Sequence, residues 1–243
     1  MKGLKKMLVL GIDTSSPVAA IALVGEYGLL AEINIELIHR HSERLIPNID
    51  YLFKETNYSI DELTGLAVGL GPGSFTGLRI GLSTIKTFAQ VKKLPVKGLS
   101  TLDIMAYGAQ ACEGMILPLL DARRERVYCA MYDSWNKDIK KVKIWGDSAL
   151  SVTELIERLK GVADSKKIYV MGNGFVQYQQ LFNNASLELI PLSSVLNYPQ
   201  GGLVAELGAY YLKKGLDDGY LAIKPNYLKR PQAEINWYKK ESR

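Results

Sequence analysis

Apolar positions along this chain change their period several times. Short apolar runs at 8–12 and 19–24, and a third strand candidate at 29–37, predict three strands close together, with Asp13 closing the first and Gly25-Glu26-Tyr27-Gly28 turning between the second and third. The spacing then lengthens: Leu45, Ile49, Leu52 and Phe53 share one face of a predicted helix over 42–56. A run at 63–70 predicts a buried strand that feeds a glycine-rich turn and a helix reaching Lys92. A short strand at 96–99 follows. Ser100 is placed to cap a helix running to about Ala111, with Asp103 at its third residue.

The second half starts the order again. The run 115–120 ends at Asp121, 126–132 alternates, and 142–145 predicts a third strand. Ser151 and Glu154 form a capping-box pattern at the start of a helix. A strand at 168–171 ends in Gly172-Asn173-Gly174, and helices are predicted at about 175–182 and 203–213. Val9-Leu10-Gly11-Ile12-Asp13 and Leu117-Pro118-Leu119-Leu120-Asp121 match in kind, and the boundary falls near 111–115. The expected lobes are therefore 1–112 and 113–243. The first three strands of each lobe lie too close in sequence for crossover helices and must be antiparallel; the later ones alternate with helices and suit parallel pairing. The expected fold is α/β, a mixed sheet flanked by helices and present twice.

Composition fits this picture. The 243 residues are 47% apolar and 23% charged, ordinary for a globular chain. The apolar stretch after Lys5-Lys6 is cut short by Asp13, so neither a signal peptide nor a membrane span is expected. Cys112 and Cys129 form no metal or redox spacing, which points to a reduced, cytoplasmic setting. Net charge is +5, and residues 224–243 hold six Lys/Arg against two Glu. Tyr227, Trp237 and Tyr238 interleave with that charge. Such a tail either packs its aromatics on the body or contacts nucleic acid.

The segment Gly69-Leu70-Gly71-Pro72-Gly73-Ser74-Phe75-Thr76-Gly77-Leu78-Arg79-Ile80-Gly81 carries the most information. A glycine turn between strand and helix can cradle an anion, with Ser74 or Thr76 as the cap. Yet no Lys-Ser/Thr pair follows Gly77, and Gly71, Gly73 and Gly77 miss the dinucleotide spacing by one residue. Gly73, Gly77 and Gly81 recur every four residues, which leaves a stripe of bare backbone. The expectation is that another helix fills it, either 42–56 of the same lobe or one from another subunit.

Other candidates for chemistry are sparse. His39 and His41 are the only histidines, and their spacing suits neither a helix face nor a usual zinc pair. Asp13 and Asp121 end matched strands; facing each other across a cleft, with Thr14 nearby and Gly172 and Gly174 admitting a flat ligand, they would suit Mg²⁺ and a nucleotide. The plainer reading is that both carboxylates shape turns. No general base with a supporting partner is present, so no catalytic residue and no metal ligand is assigned.

With these residues in place, the chain resembles the TsaB (YeaZ) family. The resemblance rests on Asp13-Thr14-Ser15, His41-Ser42-Glu43, the run Gly71 to Gly81, Asp121-Ala122-Arg123-Arg124 with Val127-Tyr128, and Pro225-Asn226-Tyr227-Leu228. It implies the actin-like and sugar-kinase superfamily fold, with two ribonuclease-H-like lobes. It implies a non-catalytic scaffold that pairs with TsaD, the metal-bearing transferase that adds threonylcarbamoyl to N6 of adenosine 37 in tRNAs reading ANN codons. TsaE, a small ATPase, joins them, so ATP and a metal belong to the partners, and tRNA is met through the complex. The family pairs through the first two helices of its N-terminal lobe, which makes Leu45, Ile49, Gly73, Phe75, Thr76, Gly77, Arg79 and Gly81 candidate interface residues. The same face is open to self-pairing. His39-Arg40-His41 departs from the transferase's H-x-x-x-H, which argues against this chain being the transferase. The alternatives are an independent ATPase or peptidase of the same superfamily, and a tRNA-binding module that uses the tail.

Overall fold

The computed structural model describes residues 6–37, 41–133, 142–162 and 166–229. His39 and most of the basic tail, including Trp237 and Tyr238, lie outside the described residues. Two five-stranded sheets form. In the first, β1 (Leu8–Asp13), β2 (Val18–Gly25) and β3 (Gly28–Glu36) make an antiparallel meander. β4 (Gly65–Gly69) pairs parallel to β1, and β5 (Val96–Leu99) parallel to β4. The resulting order is β3-β2-β1-β4-β5.

The second sheet repeats that order. β6 (Met115–Asp121), β7 (Arg126–Tyr132) and β8 (Lys143–Ser151) are antiparallel, and β9 (Ile168–Met171) lies parallel to β6. A fifth strand, β10 (Leu189–Pro191), pairs parallel to β9. The apolar pattern does not mark it, because it is very short and mostly exposed. β8 runs past the predicted 142–145 because its polar residues pair with β7 along an edge.

Helices follow the predicted order with shifted ends. α1 (His41–Thr56) and α2 (Phe75–Lys92) lie on one face of the first sheet, where Leu8, Leu10 and Ile12 meet Leu45, Ile49, Leu52, Leu82 and Ile85. α3 (Thr101–Tyr107) is shorter than expected. Ser100 caps it by accepting from the Leu102 amide. α4 (Val152–Lys160) carries the expected capping box, with Ser151 and Glu154 satisfying each other's backbone N–H groups. The helix expected at 175–182 is two pieces, α5 (Asn173–Gln177) and α6 (Gln179–Asn184), broken at Tyr178.

The final helix, α7 (Gly201–Lys213), belongs to the second half in sequence but packs on β1, β2 and β4 of the first sheet. Its small residues permit this. A Cβ at Gly11 would lie 2.4 Å from the backbone nitrogen of Ala205, so helix and strand touch backbone to backbone. α3 in turn packs on β6 and β7. The core between the sheets is consequently shared: Val9, Ala67, Leu102 and Met105 pack with Ile116, Tyr128, Tyr132 and Val204.

Candidate functional site

The glycine loop and the turn after β1 form one buried structure. β1 delivers Asp13 to the end of the sheet, where its side chain makes an Asx turn: Oδ1 accepts from the Ser15 amide at 2.7 Å. Its other oxygen, Oδ2, accepts from the Thr101 hydroxyl at 2.8 Å. The Thr101 amide donates to the Gly71 carbonyl at 2.8 Å, which ties the start of α3 to the glycine loop. Asp13 is fully buried, and a Cβ on Gly69 would lie 1.9 Å from its Oδ2. Burial pushes the Asp13 carboxyl above its usual range, against the lowering effect of the bonds from Ser15 and Thr101.

The next two residues of the turn fill the glycine stripe. The Thr14 hydroxyl donates to the Gly77 carbonyl at 2.7 Å, and the Ser74 amide donates to the Ser15 carbonyl at 2.6 Å. Ser74 is the N-cap of α2, accepting from the Gly77 amide at 3.2 Å. A Cβ at Gly73 would stand 2.2 Å from the Ser15 carbonyl oxygen, one at Gly77 2.0 Å from that of Thr14, and one at Gly81 2.4 Å from Thr14 Oγ1. The expectation that another helix occupies the stripe is therefore corrected. The spacing identified a close backbone approach, but what approaches is the chain's own β1–β2 turn.

The same geometry bears on a Mg²⁺–nucleotide site. Both Asp13 oxygens take protein donors, the carboxylate has no exposed surface, and the Thr14 hydroxyl is committed to Gly77. These residues do not fit a bound metal ion. Among the described residues no group of three or more His, Cys, Asp or Glu side chains is placed to hold one.

Asp121 ends β6 as Asp13 ends β1, and it makes the same turn: its Oδ1 accepts from the Arg123 amide at 2.8 Å. Its second donor is the Tyr178 hydroxyl at 2.9 Å, and its own amide donates to Asn173 Oδ1 at 3.0 Å. Each carboxylate thus sits in its own set of partners. Gly172 and Gly174 press on β6, where a Cβ would lie 1.9 Å from the Leu119 carbonyl oxygen and 2.9 Å from the Leu120 carbonyl carbon. Without side chains there, the start of α5 comes directly against the strand backbone.

Outward of the buried turn, the start of α2 carries a small cluster. The Arg79 guanidinium lies over the Phe75 ring at 3.9 Å, and its Nε donates to the Tyr227 hydroxyl at 3.2 Å. The Tyr227 and Phe75 rings stand 4.8 Å apart. The expected packing of tail aromatics on the body is realised at Tyr227. Thr76 and Arg79 are exposed. Leu45 and Ile49, named with them as interface candidates, are instead 1% and 2% exposed and belong to the core under α1. Helical periodicity marks an apolar face without saying whether a sheet or a partner covers it, and here it is the sheet. The apolar residues that α1 does present are Ile46 and Tyr51, at 50% and 54% exposure.

One feature escaped the sequence. Asp103, read as a capping residue, instead binds Lys143 and the Tyr132 hydroxyl, and Lys143 also pairs with Asp147. The residues come from both halves and are too far apart in sequence for any local pattern to join them.

Comparison with known proteins agrees with this architecture. A family model described as TsaD, tRNA N6-adenosine threonylcarbamoyltransferase, matches residues 29–237. A Bacillus subtilis tRNA threonylcarbamoyladenosine biosynthesis protein, TsaB, is 29% identical over 95% of this chain and 98% of its own length. The Escherichia coli TsaB is 37% identical over 52% of this chain and 55% of its own length. A Pseudomonas aeruginosa crystal structure, described as similar to the peptidase YeaZ, superposes with a TM-score of 0.78 over 92% of this chain and all of that one, at 24% identity. The shared fold is the expected α/β architecture, with two mixed sheets flanked by helices. The chain belongs to the TsaB (YeaZ) family of tRNA threonylcarbamoyladenosine biosynthesis proteins.

Proposed function

We propose that this chain is a non-catalytic scaffold subunit in N6-threonylcarbamoyl modification of adenosine 37 in tRNAs that read ANN codons. It pairs with a TsaD-like transferase in the cytoplasm and supports assembly with a TsaE-like ATPase. It binds no cofactor alone, meets tRNA through the complex, and pairs with itself through the same face when the partner is absent. The observation that carries this reading is the filled site at the end of β1. The turn that could have faced a nucleotide is packed under the glycine loop, with both Asp13 oxygens and the Thr14 hydroxyl engaged inside the protein. The family model carries the name of the transferase, but the two histidines of this chain, His39 and His41, lack the H-x-x-x-H spacing of its metal site.

The docking face moves outward from where the sequence placed it. With Leu45, Ile49, Gly77 and Gly81 buried, the residues left to meet a partner are Ile46 and Tyr51 of α1 with Thr76 and Arg79 of α2. Exposed aromatic and Arg side chains are the residue types that anchor interfaces. Co-purification of the TsaD-like protein with this chain and with an Ile46→Asp, Tyr51→Glu variant tests the reading. Recovery of the pair with the parent and its loss with the variant are expected. Undiminished pairing by the variant sinks this face, and saturable Mg-ATP binding by the parent alone, lost in Asp13→Ala, sinks the scaffold reading.

A further inference from the structure

The segment 224–229 runs from one half of the molecule to the other and is fastened at each station. The Asn226 amide donates to the Leu70 carbonyl at 2.7 Å, and its side-chain Nδ2 donates to Asp147 Oδ2 at 3.0 Å. The same Asp147 oxygen accepts from the Ser100 hydroxyl at 2.8 Å, and Oδ1 pairs with Lys143 Nζ at 2.5 Å. Lys143 reaches on to Asp103 Oδ1 at 2.7 Å, which also accepts from the Tyr132 hydroxyl at 2.6 Å. Leu70, Ser100 and Asp103 belong to the first half; Tyr132, Lys143 and Asp147 belong to the second. Beyond Asn226, Tyr227 packs on Phe75 and Arg79 of α2, and Lys229 Nζ donates to the Ala122 carbonyl of the β6–β7 turn at 2.6 Å.

Two-sheet proteins that open around a central cleft need the two halves to move apart. Here the charged groups at the junction are largely buried, with side-chain exposures of 18%, 17% and 10% for Lys143, Asp103 and Asp147. Separating the halves would leave them without partners in a poorly hydrated site, which is strongly unfavourable. We propose that residues 224–229 are a clamp that holds the two halves at one fixed angle, latched by Asn226 on Asp147, and that through Tyr227 the clamp also sets the start of α2.

Amide hydrogen exchange on the full chain tests it, with Asn226→Ala and Asn226→Asp as variants and circular dichroism to confirm folding. Loss of a bond to a charged acceptor is expected to raise exchange about tenfold or more at 70–79 and at 143–149 together, and to leave the β1–β2 hairpin protected. Asn226→Asp, which sets a carboxylate against Asp147, is expected to raise it further. Faster exchange confined to 224–229, or equal behaviour of the two variants, overturns the clamp. If Asn226→Asp does not fold, the pattern in Asn226→Ala decides alone. Tyr227→Phe keeps the ring and loses the bond to Arg79, and it should affect 75–79 without disturbing 143–149; a rise at both overturns the assignment of the latch to Asn226.

Discussion

The hydroxyl of Thr14 donates to the carbonyl of Gly77 at 2.7 Å, and this contact sets the β1–β2 turn against the start of α2, where Gly77 and Gly81 present no side chain. Gly77 is the third residue of α2, and a glycine within a helix is ordinarily a weakness of up to about 1 kcal/mol relative to Ala. At position 77 the usual remedy should fail. A Cβ there would meet the Thr14 carbonyl oxygen at 2.0 Å, and that oxygen is backbone that cannot swing aside. Gly77→Ala is expected to lose about 1–2 kcal/mol in urea unfolding, an overpacking cost at the upper end of about 1–3 kcal/mol less up to about 1 kcal/mol of propensity gain. Equal or higher stability would show that the turn does not pack as described.

Asp13 should reveal itself through pH. Its carboxyl titrates above 3.8 in the folded chain, chiefly because it is buried. Between 3.8 and that raised value the folded state holds a proton that the unfolded state has lost, so stability falls as pH rises through the window and the deficit persists at neutral pH. Asp13→Asn keeps an acceptor for the Ser15 amide and removes the charge. It should be at least as stable as the parent at neutral pH, with the difference shrinking as pH falls towards 4. Asp13→Ala, which abandons both donors, should cost about 1–3 kcal/mol. A difference between Asn and parent that does not change with pH would contradict the burial argument.

Neighbouring positions on α1 should separate folding from docking. Leu45→Ala removes a side chain from the core and is expected to cost about 2–5 kcal/mol in urea unfolding. Ile46→Ala, one residue on, should change stability by no more than about 0.5 kcal/mol. Its effect is expected in affinity for the TsaD-like partner, measured by calorimetric titration. A large stability loss at Ile46 would mean that its face is not free.

Lys143 is the cation between two largely buried carboxylates. Lys143→Met leaves Asp103 and Asp147 without it and should cost about 3–5 kcal/mol, whereas adding Asp103→Asn and Asp147→Asn should recover most of the loss. Chemical denaturation of the single and triple variants checks this. A single variant as stable as the parent would show that the group contributes nothing at the junction.

Much of the fold was legible because it rests on local signals. The runs ending at Asp13 and Asp121, the segment 126–132 and the Ser151/Glu154 box became strands and a cap as expected, although 127–132 is buried throughout rather than on alternate residues. What stayed hidden was non-local. β10 is too short for a period to show, and α7 packs on a sheet formed at the other end of the chain. The glycine stripe announced a close approach, but the identity of the approaching group, Thr14 and Ser15, depends on how the loop folds back over β1. Leu45 and Ile49 illustrate the same boundary: the pattern named an apolar face, and only the packing of α1 on the sheet decided what covers it.

The central claim is that this chain supports a modification that it does not catalyse. Its most direct test is reconstituted threonylcarbamoylation of an ANN-decoding tRNA by the TsaD-like and TsaE-like proteins, with this chain added, omitted, or replaced by Asp13→Asn. The account predicts activity that requires the chain and is undiminished by Asp13→Asn. Full activity without the chain, or its loss in a folded Asp13→Asn variant, would contradict it.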